Sequence, residues 1–228
     1  MHASAVVLAA GKGRRFLKGV SKPLVRINKR PLIAYSLKVL QQHRLINEII
    51  VVANKDNAQN LKKITRSYPK VSKVVLGGAR RQDSVRSGLA ALSGGRKTVL
   101  IHDSARPFIN GRMVSQVLAG AFAHKAAIVG VPVKATIKKV AESQSRKVTR
   151  VKETVERNGL WEIQTPQAFD TALLLKAYRK FGRFDVTDDA MLVEKSGIKP
   201  IVIAGNYYNI KITTPEDLLL AKAIALKR

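Results

Sequence analysis

Cysteine is absent from this 228-residue chain. That excludes a disulfide framework, a thiolate metal site and a cysteine nucleophile, and it is compatible with a reducing compartment. Aromatic residues are scarce, at six Phe, five Tyr and one Trp, and read along the sequence they show no interleaving with cations of the kind single-strand nucleic-acid binders use. No run approaches the roughly 20 apolar residues that a membrane-spanning helix needs. The opening "MHASAVVLAAGKGRRF" carries its apolar residues before its charges, the reverse of a secretory signal. The expectation is a cytoplasmic protein with no membrane partner. The four histidines have no metal-ligand spacing, which argues against zinc.

Acidic residues are also few: 15 Asp plus Glu stand against 42 Lys plus Arg, a formal charge of +27. A basic surface is the footprint of phosphate-backbone binding. Here, however, the cations are spread over every expected helix and loop and gather in no single arm or tail. Anionic small molecules are therefore the expected partners, and nucleic acid is not.

What the chain does hold is an alternation of apolar, β-branched runs with helical stripes. "AVVLAAG", "EIIVVAN", "KVVLGG", "KTVLIHD" and "AAIVGVPV" are short and bounded by Gly, Asp, Asn or Pro, as suits strands buried on both faces. Between them Ile33, Leu37 and Leu40, then Leu61, Ile64 and Tyr68, then Val85, Leu89 and Leu92, then Val114, Val117 and Ala121 recur at helical spacing. Alternating strands and helices predict an α/β fold, a mostly parallel sheet flanked by helices. From residue 134 to 160 the helical stripe disappears around a polar "ESQSRK" turn, which predicts a projecting β-arm. Such a hairpin is marginal alone and needs something to pack on, for instance a second subunit. Further on, Leu174, Tyr178 and Phe181 predict a helix, Thr187 is expected to cap the next one and Gly197 to stop it. "PIVIAGN" and "YYNIKIT" read as strands, and "TTPEDLLLAKAIALK" as a last helix with Thr214 as N-cap, Pro215 at the first position and Asp217 closing the box. With 46% hydrophobic residues and no linker or repeat, one domain over 1–228 is expected.

Ligands of open α/β sheets bind outside the carboxyl ends of strands. Three stretches stand there: Gly11, Lys12, Gly13, Arg14 and Arg15; Gly77 and Gly78 leading into "ARRQDSV"; and His102 and Asp103 leading into "SARP". Small residues let backbone N–H groups approach a phosphate, and Arg or Lys adds charge-assisted bonds. Neither the Walker pattern nor the full dinucleotide fingerprint is present. Asp103 ends a buried run, where a lone carboxylate suits Mg²⁺ sharing phosphate oxygens, and equally a helix cap or an ion pair with Arg106.

The ordered stretches "LAAGKGRR", "KPL", "GGARRQDSV", "HDSARP", "ERNGLWEIQTPQAF" and "NIKITTPEDL" together resemble the 2-C-methyl-D-erythritol 4-phosphate cytidylyltransferases. The resemblance implies a Rossmann-like nucleotidyltransferase fold whose β-arm clasps a homodimer partner, and a Mg²⁺-dependent reaction of CTP with a sugar phosphate. By the same resemblance Ala9, Ala10, Gly11 and Gly13 surround CTP, while Arg15 and Lys22 hold its triphosphate. Gly78, Ser84 and Ala105 read the cytosine and ribose, Asp103 binds the metal, and Lys211 is a further phosphate-side cation. Arg106, Thr136, Arg157 and Thr165 are implied on the acceptor side, with Thr136 and Arg157 reaching across the dimer. One departure is plain: the chain reads "PVKAT", with Ala135 where the family usually has Asp, which bears on how the arm meets the acceptor. Two other readings stay open here, a ribitol 5-phosphate cytidylyltransferase and a nucleic-acid-binding protein on the same scaffold.

The chemistry suits the residues. A phosphate monoester, with a second pKa of about 6, is largely dianionic at neutral pH and needs no general base to attack phosphorus. What it needs is alignment with a second polyanion and neutralisation of the charge that gathers on the leaving pyrophosphate.

Overall fold

The computed structural model describes residues 2–11, 16, 19–95, 97–141 and 149–227. The chain opens with strand β1 (Ala3–Leu8), then a short hairpin of β2 (Arg26–Ile27) and β3 (Arg30–Pro31), and helix α1 (Leu32–Gln42). Strand β4 (Ile46–Ala53), helix α2 (Ala58–Thr65), strand β5 (Val71–Leu76), helix α3 (Arg81–Ala90), strand β6 (Thr98–Asp103), helix α4 (Gly111–His124) and strand β7 (Ala126–Pro132) follow in regular alternation. Then come the two strands β8 (Ile137–Val140) and β9 (Val151–Val155), strand β10 (Trp161–Asp170), helices α5 (Thr171–Phe181) and α6 (Asp189–Glu194), strand β11 (Ile201–Ala204) and helix α7 (Pro215–Leu226).

Seven strands form the central sheet in the order β11-β7-β10-β6-β1-β4-β5. Every pairing is parallel except those of β10, which runs antiparallel to both β6 and β7. Side chains alternate along a strand, and β1 is buried at every position, so its residues feed two cores. Ala5 and Val7 pack with Ile33, Leu37, Leu61 and Val114 from α1, α2 and α4. Val6 and Leu8 pack with Val85, Leu174 and Leu192 from α3, α5 and α6. A third cluster joins Phe16, Ile27 and Phe108 to Ile212 and Ile224, and so ties the early loop to the segment before α7.

The α/β expectation holds, with four local corrections. β10 carries none of the expected strand pattern: Pro166 sits within it, and a register shift between Gln164 and Gln167 absorbs the residue that cannot donate to the ladder. "YYNIKIT" is not a strand; residues 207–213 are irregular, and their bonds go elsewhere, Ile212 N–H to the Ala105 carbonyl for one. The cap of α6 is Asp188, which accepts from the Met191 N–H, rather than Thr187. Asp103 pairs with Arg81 and Lys211 rather than with Arg106. Thr214, Pro215 and Asp217 open α7 as expected. The arm is present as the β8–β9 ribbon, a sheet of its own, with Val140 and Val151 on its exposed surface.

Candidate active site

A cavity of 920 Å³ opens at the carboxyl ends of β1, β4, β5 and β6, within the size range of small-molecule sites. Its first wall is the turn after β1. Ala9 and Ala10 line it, and their carbonyls are held by two asparagines that follow β4: Asn57 Nδ2 donates to Ala9 O at 2.9 Å and Asn54 Nδ2 to Ala10 O at 3.3 Å. Asn54 and Asn57 also bond each other's backbone N–H groups at 2.9 Å. The backbone of this turn is therefore set before any ligand arrives. Gly11 also lines the cavity, whereas Gly13 and Arg15 lie outside the described residues.

The second wall is the loop from β5 to α3. A Cβ on Gly77 would stand 2.5 Å from Ser84 Oγ and 2.8 Å from the Ala10 Cβ, so the close approach of this loop to the first turn requires glycine. Gly78, Ser84 and Arg80 line the cavity beside it.

Asp103 forms the floor, and here the electrostatics concentrate. Its Oδ1 accepts from Arg81 Nε at 3.2 Å and its Oδ2 from Lys211 Nζ at 2.7 Å. Burial pushes the Asp103 carboxyl up, but Arg81 and Lys211 together outweigh it and hold the group well below the usual carboxylate range. Arg81 in turn donates from Nη1 to Asp189 Oδ2 at 2.7 Å, and the Asp189 side chain is fully buried. The Tyr178 hydroxyl donates to the other Asp189 oxygen at 2.5 Å. Burial and then the Asp189 charge push that phenol upward, so it remains a donor. A rigid relay thus runs from Tyr178 through Asp189 and Arg81 to Asp103 and Lys211.

Beneath the floor lies a second, neutral relay. His102 is fully buried, and its Nε2 lies 3.1 Å from the Arg106 carbonyl. A carbonyl only accepts, so Nε2 carries the proton and Nδ1 is the acceptor. The Thr165 hydroxyl, 3.0 Å away, therefore donates to Nδ1 and accepts the Asp103 N–H at 3.0 Å. Burial lowers the His102 pKa to about 4.

The sequence-chosen residues are thus distributed unevenly. Ala9, Ala10, Gly11, Lys22, Gly78, Ser84, Asp103, Ala105 and Lys211 all line the cavity. Lys22 bonds the Ile212 carbonyl at 2.9 Å, which joins the early basic loop to the Lys211 segment. Thr165 and Arg106 lie behind the wall: Arg106 holds the Asn209 carbonyl at 2.7 Å and the Ile163 carbonyl at 3.4 Å, and its buried Nε finds no partner among the described residues. Thr136 and Arg157 belong to the arm, where Arg157 Nη1 bonds the Lys134 carbonyl at 2.6 Å, and neither lines this cavity. Sequence reasoning missed Arg81, Asp189, Asn54 and Asn57. The two asparagines follow a strand's carboxyl end, a signal that was readable; the Arg81–Asp189 pair spans 108 residues and has no local signal.

Over residues 3–227 the chain matches the family described as IspD, 2-C-methyl-D-erythritol 4-phosphate cytidylyltransferase. It is 42% identical over 228 residues to the protein of that name from Alkaliphilus metalliredigens, covering 98% of this chain and 92% of the relative. It is 43% identical over 222 residues to that of Bacillus mycoides, covering 96% and 95%. Among solved structures, the 4-diphosphocytidyl-2C-methyl-D-erythritol synthase of Anaerococcus prevotii superposes with a TM-score of 0.85 at 33% identity, over 100% of this chain and 96% of that one. The 2-C-methyl-D-erythritol 4-phosphate cytidylyltransferase of Thermus thermophilus gives 0.77 at 32% identity, over 99% and 100%.

Proposed function

This chain belongs to the 2-C-methyl-D-erythritol 4-phosphate cytidylyltransferase family, and from that premise we infer that the 920 Å³ cavity is where CTP and the sugar phosphate meet. The protein is a cytidylyltransferase of isoprenoid biosynthesis, and the ribitol 5-phosphate reading is not favoured. The observation that carries the assignment of the site is Asp103, a charged carboxylate on the cavity floor between Arg81 and Lys211.

The acceptor phosphate attacks the α-phosphorus of CTP; a new P–O bond forms as the bond to the β-phosphate breaks, and pyrophosphate leaves. Ala9, Ala10, Gly11 and Gly78 give backbone access for the nucleotide, and Ser84 and Ala105 flank its base and ribose. The cavity lining holds Lys22, Lys55, Arg80, Arg81 and Lys211 against Asp56 and Asp103, an excess of cations suited to a triphosphate. Lys22 and Lys211 neutralise the departing pyrophosphate in this reading, and the family resemblance gives Arg15, outside the described residues, the same role.

Mg²⁺ fits the donor set. One hard carboxylate on the cavity wall is what Mg²⁺ takes from a protein when nucleotide phosphates and water supply its other oxygens, and no cluster of three or more acidic, His or Cys ligands occurs among the described residues. Asp103 would hold the ion, which supplies charge neutralisation between the two anions.

Thr136 and Arg157, absent from the cavity of their own chain, fit an acceptor site completed by a second copy. The exposed Val140 and Val151 of the ribbon would then be covered in a homodimer. The Arg157 bond to the carbonyl of Lys134 sets the arm backbone next to Ala135, and so supports the arm without the usual carboxylate. Among the described residues no helix is long and apolar enough to cross a membrane. Incubating the purified protein with CTP, Mg²⁺ and either sugar phosphate tests the reading: pyrophosphate release with methylerythritol phosphate supports it, and release with ribitol 5-phosphate alone overturns it.

A further inference from the structure

A second concavity, of 640 Å³, lies between α3 and the end of α5, away from the CTP cavity; Arg80 alone lines both. Arg80, Arg86, Arg179, Lys180 and Arg183 converge on it, and no carboxylate belongs to its lining. Part of this charge has a local cause. Arg179 and Lys180 occupy the last turn of α5, where the helix dipole favours cations, and Arg80 pairs with Asp83 at 2.9 Å. That cause does not extend to Arg86, within α3, or to Arg183, in the loop after α5, which enter the same groove from different elements.

The loop is also fixed in place. Gln82, buried in the first turn of α3, donates through Nε2 to the Gly182 carbonyl at 2.8 Å and the Phe184 carbonyl at 2.9 Å. This holds Phe184 on the surface with 44% of the residue exposed. The Arg183 guanidinium lies 5.6 Å and the Lys195 ammonium 5.2 Å from its ring centre. Phe181 follows at 6.3 Å between ring centres. The two cations are attracted to the ring, and an exposed ring so flanked also suits stacking of a nucleobase whose phosphates lie among the cations. The stretch "RKFGRF", residues 179–184, thus holds the basic and aromatic interleaving that the linear reading overlooked, because Phe181 was assigned to the core stripe of its helix.

We propose that the α3–α5 groove, together with the exposed Phe184 that follows its lining residue Arg183 in the chain, is a binding surface for single-stranded nucleic acid. Cations from two helices and a loop take the phosphates, and the fixed ring takes a base. A free polyphosphate would use the same cations but has nothing to place on Phe184, and this separates the two ligands. Apart from Arg80, which it shares with the CTP cavity, the surface stands outside the transfer reaction.

The test uses the intact protein and a labelled oligouridylate of about 15 nucleotides, a length matched to such sites, with affinity read by fluorescence anisotropy at several salt concentrations. Five engaged cations give a log–log salt slope of about −3.5, or an affinity loss of about 100-fold between about 50 and about 200 mM salt. Arg179→Ser with Arg183→Ser reduces the magnitude of that slope by about 1.4, while Phe184→Ala weakens binding by about 5- to 150-fold at unchanged slope. Because a chain of +27 attracts any polyanion, the control is Lys62→Ser with Lys63→Ser on α2, which leaves affinity and slope unchanged. CTP turnover stays at its wild-type rate in all these variants and reports that they are folded. Equal weakening by the α2 control overturns the proposal in favour of diffuse attraction. Full displacement by inorganic triphosphate, with no effect of Phe184→Ala, overturns it in favour of a small-anion site.

Discussion

The Thr165 hydroxyl and the His102 Nδ1 lie 3.0 Å apart, with the direction of the bond set by the Arg106 carbonyl on the other side of the ring. The imidazole is held neutral, and through Thr165 it positions the backbone of Asp103. A histidine whose pKa falls from 6.5 unfolded to about 4 folded binds its proton more readily in the unfolded chain. Its contribution to stability is complete above pH 6.5 and is lost as pH falls towards 4, by roughly 3 kcal/mol over that window. Asp103, also depressed, adds loss at still lower pH. The expected outcome is an NMR titration of the His102 ring with a midpoint near 4 and a His102→Gln variant with a flatter stability profile between pH 4 and 6.5. A midpoint at the ordinary value would show that burial does not hold the ring neutral.

Lys211→Met removes the cation on Asp103 Oδ2 and, in the proposed reaction, a neutraliser of the pyrophosphate. Loss of such preorganised charge costs about 10²- to 10³-fold in kcat, and Lys211→Arg should recover part of it. Pyrophosphate release at saturating CTP is the readout; wild-type turnover in Lys211→Met would remove the residue from the reaction.

Arg81→Met affects stability before chemistry. It leaves the fully buried Asp189 carboxylate without its counter-charge, a change that costs about 3 to 5 kcal/mol. At roughly 2 to 4 °C per kcal/mol for a chain of this size, the melting temperature drops by roughly 6 to 20 °C. The double variant Arg81→Met with Asp189→Asn should regain most of that stability without regaining activity, since Asp103 still lacks one partner. Equal melting of the single variant and the wild type would contradict the relay.

Gly77→Ala pushes a methyl group towards Ser84 Oγ and the Ala10 Cβ. Relief of such overpacking costs about 1 to 3 kcal/mol and moves the two nucleotide walls apart. KM for CTP should rise while KM for the sugar phosphate holds, which steady-state kinetics with each substrate varied in turn would measure.

Mixing Arg157→Ala with Lys211→Met subunits tests the proposed clasp. Each variant alone should be impaired, by loss of the proposed acceptor contact or of the proposed phosphate-side cation. If the arm serves the partner's cavity, hybrid dimers contain one intact site and activity reappears on mixing; an inactive mixture rules that arrangement out.

The parts of the fold that were readable in the sequence are those in which local pattern and tertiary role coincide. β1, β4 and β6 are apolar on both faces because helices cover both faces, so continuous apolar runs reported them faithfully. β10 was hidden because its inner residues Gln164, Thr165 and Gln167 are polar and buried, satisfied by partners far along the chain, such as Asn209 for Gln164. In "YYNIKIT" the β-branched residues suggested a strand, but the Ile212 N–H goes to the Ala105 carbonyl in a loop, while Ile212 enters the third core cluster and Lys211 bonds Asp103. The glycine turns and Asp103 were visible from position alone; Arg81, Asp189 and His102 act through contacts whose geometry exists only after the sheet has closed.

The pairing of Lys211 with Asp103 also sets a schedule. The carboxylate at the end of β6 precedes its lysine by 108 residues, so during translation it is synthesised well before its cation. A nascent chain lacking that late segment would present triphosphate with a carboxylate shielded on one side only. The charge balance of the cavity floor is in this way completed only by the segment that leads into α7.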